Sequence, residues 1–153
     1  MPITQAVSAR NIGFFMIKHR PLPDDIDARM TRLGSVLEKR GEVAFAYLFG
    51  GLARGARRPL SDVDIAVYLR GTESGAETKL ELIGLLTDTL GSDEVDLVIL
   101  NRAPVSLVGR ILRQRRVLVD KEPRLRHLFE SRMSREFFDF SRKEEAILRQ
   151  RFS

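Results

Sequence analysis

Apolar residues fall at helical spacing in some stretches of the chain and at every second position in others, and the two periods divide it into elements. Between Asp24 and Arg40 the stripe Ile26, Met30, Leu33 and Leu37 predicts a helix, with acidic residues in its first turn, basic residues in its last and Gly41 as the stop. Val43–Phe49 is an apolar run rich in strand formers that ends at Gly50-Gly51. From Ser61 to Leu69 the pattern alternates, with Val63, Ile65 and Val67 on one side and Asp62, Asp64, Ala66 and Tyr68 on the other. Ser74 to Leu90 reads as a second helix. Ser74 and Glu77 stand at capping-box spacing, Leu82, Ile83, Leu86 and Leu90 form its stripe, and Gly91 ends it.

Glu94–Leu100 is a further strand, Pro104 opens a helix to about Arg115, and Arg116–Asp120 is a short last strand. Pro123 opens the final helix, whose stripe of Leu125, Phe129, Met133, Phe137 and Phe140 is read as core packing. Residues 1–23 show no clean period and stand apart as an N-terminal extension. Residues 24–153 then make one domain of α/β (α+β) class, a small mixed sheet flanked by helices.

Composition narrows the chemistry. The 153 residues include no cysteine, so disulfides and thiolate metal sites are excluded and any metal must sit on oxygen or histidine ligands. The longest apolar stretches, such as Ala44–Phe49 and Val95–Leu100, fall far short of the roughly 20 residues that cross a bilayer. Ile12–Ile17 is too short for a signal core and is followed by Lys18-His19-Arg20, so a cytoplasmic location and no membrane association are expected. The net charge of +5 is unevenly placed: residues 1–100 carry 12 basic and 14 acidic side chains, and residues 101–153 carry 14 and 7. The basic half is either a solvated helical surface or a face for a polyanion, whether nucleotide, acidic protein or nucleic acid.

The chemistry concentrates between Phe49 and Leu69. Asp62 and Asp64, separated by one residue on a strand, point to one face and can converge on hard cations while Val63 and Ile65 anchor the strand. Asp96, 32 residues after Asp64, lies between Val95 and Leu97 in a strand of similar character. If the two strands are neighbours, the three carboxylates form a cluster suited to two Mg²⁺ ions roughly 3.5–4 Å apart. Upstream, Gly50-Gly51 sits at a strand-to-helix turn, where missing side chains let the backbone approach phosphates and a helix N-terminus offers free N–H groups. Arg54, about one turn into the expected short helix, is a candidate phosphate ligand; Arg57 and Arg58 reach a triphosphate or are solvated. A lone Asp-x-Asp or Gly-Gly is common, but their spacing together with a third aspartate strand is a specific signal.

At these residues the chain resembles the minimal nucleotidyltransferases of the polymerase-β superfamily, whose motif is Gly-Ser, ten residues, Asp-x-Asp and a later third aspartate. Gly50 matches the glycine, residues 52–61 the spacer, Asp62 and Asp64 the pair, and Asp96 in Val-Asp-Leu-Val-Ile-Leu the third. The likeness runs over about residues 24–150, through Ile111–Val119 to the Arg135-Glu-Phe-Phe-Asp-Phe helix, and is greatest to antitoxins encoded beside HEPN ribonuclease toxins. It implies a polymerase-β-like core, ATP as donor, Mg²⁺ as cofactor, a heterocomplex with a HEPN-type toxin and AMP transfer to a toxin tyrosine. It does not point to nucleic acid as a direct substrate, and it leaves a homo-oligomer open. Asp62, Asp64 and Asp96 are then the catalytic and metal residues, and Gly50, Gly51 and Arg54 the nucleotide-binding ones.

One position departs from the motif: Gly51 stands where the family has serine. Loss of one hydrogen bond to a charged group costs about 1.5–3 kcal/mol, which weakens triphosphate binding but does not abolish it, since the backbone N–H remains. All three carboxylates are kept, which favours an active enzyme over an antitoxin that neutralises by binding alone. Transfer to a small molecule such as an aminoglycoside is disfavoured, because the chain has little room for a second substrate domain. His19 and His127 are too few and too far apart for a zinc site, Ser61 has no general-base partner, and Tyr47 and Tyr68 are read as core or sheet residues.

Overall fold

The structure, a computed structural model, describes residues 23–50, 63–71, 75–91 and 94–152. Its elements are α1 (Pro23–Glu38), β1 (Val43–Phe49), β2 (Val63–Leu69), α2 (Gly75–Leu90), β3 (Val95–Ile99), a 3-10 turn (Leu100–Arg102), α3 (Val105–Gln114), β4 (Arg116–Asp120) and α4 (Pro123–Phe152). The four strands form one mixed sheet in the order β3-β2-β1-β4. β1 is antiparallel to β2 and β4, and β2 is parallel to β3. The expected α+β architecture is therefore present. The expected extension and the short helix after Gly50 lie outside the described residues.

The alternation in β2 separates two cores. Val63, Ile65 and Val67 face a layer made by α1 and α2, where Leu33, Leu37, Leu82 and Leu86 are fully or almost fully buried. Ala66 and Tyr68 face the opposite layer with Phe45 and Tyr47 of β1, Val108 and Ile111 of α3, and Phe129 and Met133 of α4. An aromatic group ties this second layer: Phe45 stacks on Tyr68 at 4.8 Å between ring centroids, and Phe129 meets Tyr68 edge-on at 5.2 Å.

Two expectations need correction. Leu100 does not continue its strand; it opens the 3-10 turn, which carries Asn101 beside the end of β2. There the Leu69 N–H donates to Asn101 Oδ1 at 2.9 Å, and Asn101 Nδ2 donates to the Leu69 carbonyl at 2.9 Å. A side-chain amide thus stands in for a strand backbone and satisfies the last pair of β2 groups. The stripe of the last helix is core only in its first half. Phe129 and Met133 are buried and Phe137 is partly buried, but Phe140 is 42% exposed, because α4 is 30 residues long and runs past the sheet it covers.

Gly109 lets α3 and α4 approach. A Cβ placed there would fall against the ring of Phe137, which rests directly on the helix backbone. Gly109→Ala is expected to lower stability by about 1–3 kcal/mol, the usual cost of overpacking, and to reduce Tm in a thermal melt. An unchanged Tm would mean that the two helices separate at no cost.

Candidate active site

Asp64 and Asp96 are direct partners across the parallel β2–β3 pair. Neighbouring strands lie about 4.8 Å apart, so equal register and equal pleat set the two carboxylates side by side. Both stand on the face shared by Ala66 and Val98, the layer of α3 and α4. Asp64 is half-buried and Asp96 is exposed, which gives the site one inner and one outer carboxylate. Like charges this close repel unless a cation lies between them. Their hard oxygen donors, in a chain without cysteine, fit Mg²⁺. Among the described residues no group of three candidate ligands assembles. The third expected carboxylate, Asp62, lies outside the described residues, as do Gly51, Arg54, Arg57 and Arg58.

Gly50 closes the site from β1. Phe49 is the register partner of Asp64, so the chain leaves β1 beside that carboxylate. Gly50 then takes φ +76°, a conformation L side chains rarely adopt, and a Cβ there would collide with Asp64 Oδ2. The glycine is thus required twice, once by its dihedral and once by the carboxylate it touches. A bare backbone packed on an acidic pair, at a turn out of a strand, is an arrangement suited to nucleotide phosphates bridged to carboxylates by a cation.

The family described as polymerase beta, nucleotidyltransferase matches residues 32–124, which include β1, β2, β3 and the Gly50–Asp64–Asp96 constellation. This chain belongs to that nucleotidyltransferase family. No curated protein sequence matches it. Among solved structures, a toxin-antitoxin crystallised with AMP-PNP superposes with a TM-score of 0.67 at 25% identity, over 81% of this chain and 98% of that one. The MNT antitoxin complex of a tri-AMPylated HEPN toxin from Shewanella oneidensis gives a TM-score of 0.64 at 23% identity, over 83% and 98%. A MntA-HepT toxin-antitoxin gives 0.63 at 24% identity, over 83% and 99%. The resemblance drawn from the motif is borne out in both family and fold. No helix among the described residues is long and apolar enough to cross a membrane.

The nucleotidyltransferase also has a polar cluster that its sequence pattern conceals. Tyr47 Oη donates to Glu130 Oε2 at 2.7 Å across 83 residues of chain. The same carboxylate oxygen accepts from Arg115 Nε at 3.0 Å and from Arg126 Nη1 at 3.1 Å. Arg126 in turn makes a two-pronged contact with Asp120, at 2.9 Å for each bond. One glutamate thereby fastens α4 to the sheet and to the end of α3. Burial pushes the Tyr47 hydroxyl well above its ordinary range, and the hydrogen bond to Glu130 adds to that. Burial also pushes Glu130 up, but the hydrogen bonds from Tyr47 and Arg126 and the charges of Arg115 and Arg126 outweigh it and hold the carboxyl below the usual range. The only sequence signal was an acidic residue set between Phe129 and Met133.

The sign of the pH effect follows. With its folded pKa below the unfolded value, Glu130 contributes stability that is present above about pH 4.5 and is lost as pH falls through the folded value. Asp120, held down chiefly by Arg126, acts in the same direction. Glu130→Gln is expected to cost roughly 1–3 kcal/mol at neutral pH by stripping two arginines of their carboxylate, less than for a fully buried pair because Arg115 is 30% exposed. It should also flatten the acid limb of stability against pH. Urea titrations between pH 3 and 7 check both, and a parallel offset at every pH would contradict the linkage.

Proposed function

We propose that this nucleotidyltransferase is the antitoxin of a toxin-antitoxin pair, transferring AMP from ATP to a tyrosine hydroxyl of a cognate HEPN-type ribonuclease toxin. The observation that carries the reading is the in-register Asp64–Asp96 pair with Gly50 packed on it. The fold shared with a toxin-antitoxin bound to AMP-PNP and with the MNT antitoxin of a tri-AMPylated HEPN toxin supports the donor and the acceptor. Residues 24–153 form the transferase domain, residues 1–23 an extension, and the pair acts in the cytoplasm.

Asp62, Asp64 and Asp96 hold Mg²⁺, two ions in all, which when bound neutralises phosphate charge and lowers the pKa of an attacking hydroxyl. Gly50 and Gly51 present backbone to the triphosphate, and Arg54 adds a cation. The acceptor oxygen forms a bond to the α-phosphorus, the bond from that phosphorus to the β-phosphate oxygen breaks, and pyrophosphate leaves. The tyrosyl proton passes to Asp96, the exposed member of the pair, and on to water. Catalysis is then mainly positioning and electrostatics. With Mg²⁺ present, label at the α-phosphorus of ATP is expected to reach the toxin, while label at the γ-phosphorus is released. A chelator should abolish the transfer; chelator-resistant transfer would exclude the metal role.

A second reading is favoured by Gly51, where the family serine is missing. The chain would then neutralise its toxin by covering it. Transfer and protection part company under that reading, since protection would survive loss of Asp64.

A further inference from the structure

Between α3 and α4, the helices that cover the aspartate-bearing face of the sheet, lies a cleft of about 550 Å³, with Gly109, Arg115 and Glu130 in its lining. Leu112 and Arg113 line it from α3, and Ser131, Ser134, Phe137 and Phe138 from α4. The floor is aromatic and the α4 wall carries hydroxyls at helical spacing, a mixed lining that suits a peptide segment with one large apolar side chain.

Charge decides which kind of segment. Residues 97–119 carry five arginines and no carboxylate. Among the described residues, Arg110 and Arg113 on α3 are exposed and make no ion pair, and Arg113 lies over the Phe137 ring at 5.1 Å from its centroid. Across the cleft Arg142 lies over Phe138 at 5.8 Å, so cations flank both aromatic rings. Glu130, the carboxylate at the inner end, is neutralised by Arg115 and Arg126. Phe138 stays 60% exposed even with Arg142 over its ring.

We infer that this cleft docks the acceptor protein, taking an acidic segment that carries an aromatic or branched apolar side chain and holding it while the acceptor hydroxyl reaches Asp64 and Asp96. The inference rests on the AMP-transfer function proposed above and adds the surface that selects the acceptor. The apolar side chain fills the slot between Leu112 and Phe138, and the flanking carboxylates meet Arg110 and Arg113. A polyphosphate chain fits less well, because it has no apolar group to set against Leu112, Phe137 and Phe138.

Two exposed-residue variants test it without touching the carboxylates. Ser134→Trp fills the cleft and Arg113→Glu reverses its rim. Against the cognate HEPN-type toxin proposed above, both are expected to raise Kd and the acceptor KM at least tenfold, with kcat and the KM for ATP unchanged. Binding by the wild type should weaken as salt rises from about 50 to 300 mM, and Arg113→Glu should lose most of that dependence. Toxin binding unchanged in both variants would overturn the cleft assignment even if AMP transfer is confirmed. Binding that both variants lose, with no transfer by the wild type, would uphold the cleft and refute the transfer reaction. Loss of binding to single-stranded RNA in place of the toxin, or loss of a dimer of this chain, would give the cleft to another occupant and overturn the inference.

Discussion

Asp64→Asn is expected to lower AMP transfer by on the order of 10³-fold or more while leaving the thermal melt close to that of the wild type. The carboxylate sits half-buried beside Asp96 in a parallel strand pair, and removing its charge takes away the proposed metal ligand without changing shape. Relief of like-charge repulsion should keep the fold at least as stable in metal-free buffer. Asp96→Asn should match the loss in rate but retain more ATP binding, since Asp96 is the outer, exposed carboxylate proposed to take the acceptor's proton. Steady-state transfer with labelled ATP, beside nucleotide binding by calorimetry, separates the two. Equal loss of ATP affinity in both variants would contradict the division of roles.

The second large effect is expected at Gly50. Gly50→Ala forces a Cβ into a left-handed backbone at φ +76° and against Asp64 Oδ2. The left-handed conformation alone costs roughly 1–2 kcal/mol, and displacing the carboxylate adds to the loss in rate. Stability should therefore fall modestly while transfer falls about 100-fold or more, because a shift of about an ångström in a metal ligand is enough to lose that much. Gly50→Asn, which tolerates the dihedral better, should recover stability but not activity. Recovery of both would show that the dihedral, and not contact with Asp64, is what Gly50 provides.

Much of this was legible from residue pattern because the sheet alternates. Val63, Ile65 and Val67 on one side of β2 leave Asp64 on the other, and the same rule applied to Val95 and Leu97 puts Asp96 on that face of β3. What alternation does not give is neighbourhood. That β2 and β3 are adjacent, parallel and in register at Asp64 and Asp96 depends on the helix between them returning the chain to the same edge of the sheet.

Three features stayed hidden for physical reasons. The Glu130 cluster joins Tyr47, Arg115 and Arg126 from three elements, and a glutamate on a helix surface looks the same whether solvated or enclosed. Asn101 extends β2 through its side chain, which no strand propensity encodes. Helical periodicity continues through Phe140 and beyond, yet it carries no information on where the covered sheet ends, so the exposed half of α4 read as core. The same long-range packing creates the cleft around Phe137 and Phe138.

AMP transfer is chemistry done to another protein, and the mass of that protein reports it most directly. The cognate HEPN toxin should be incubated with this chain, ATP and Mg²⁺, with the Asp64→Asn variant in parallel, and its intact mass and modified peptide determined. The expected result is a gain of one or more adenylyl units on tyrosine with the wild type alone. An unmodified toxin that is bound tightly and silenced by both proteins would contradict the account and leave a nucleotidyltransferase fold that works by cover.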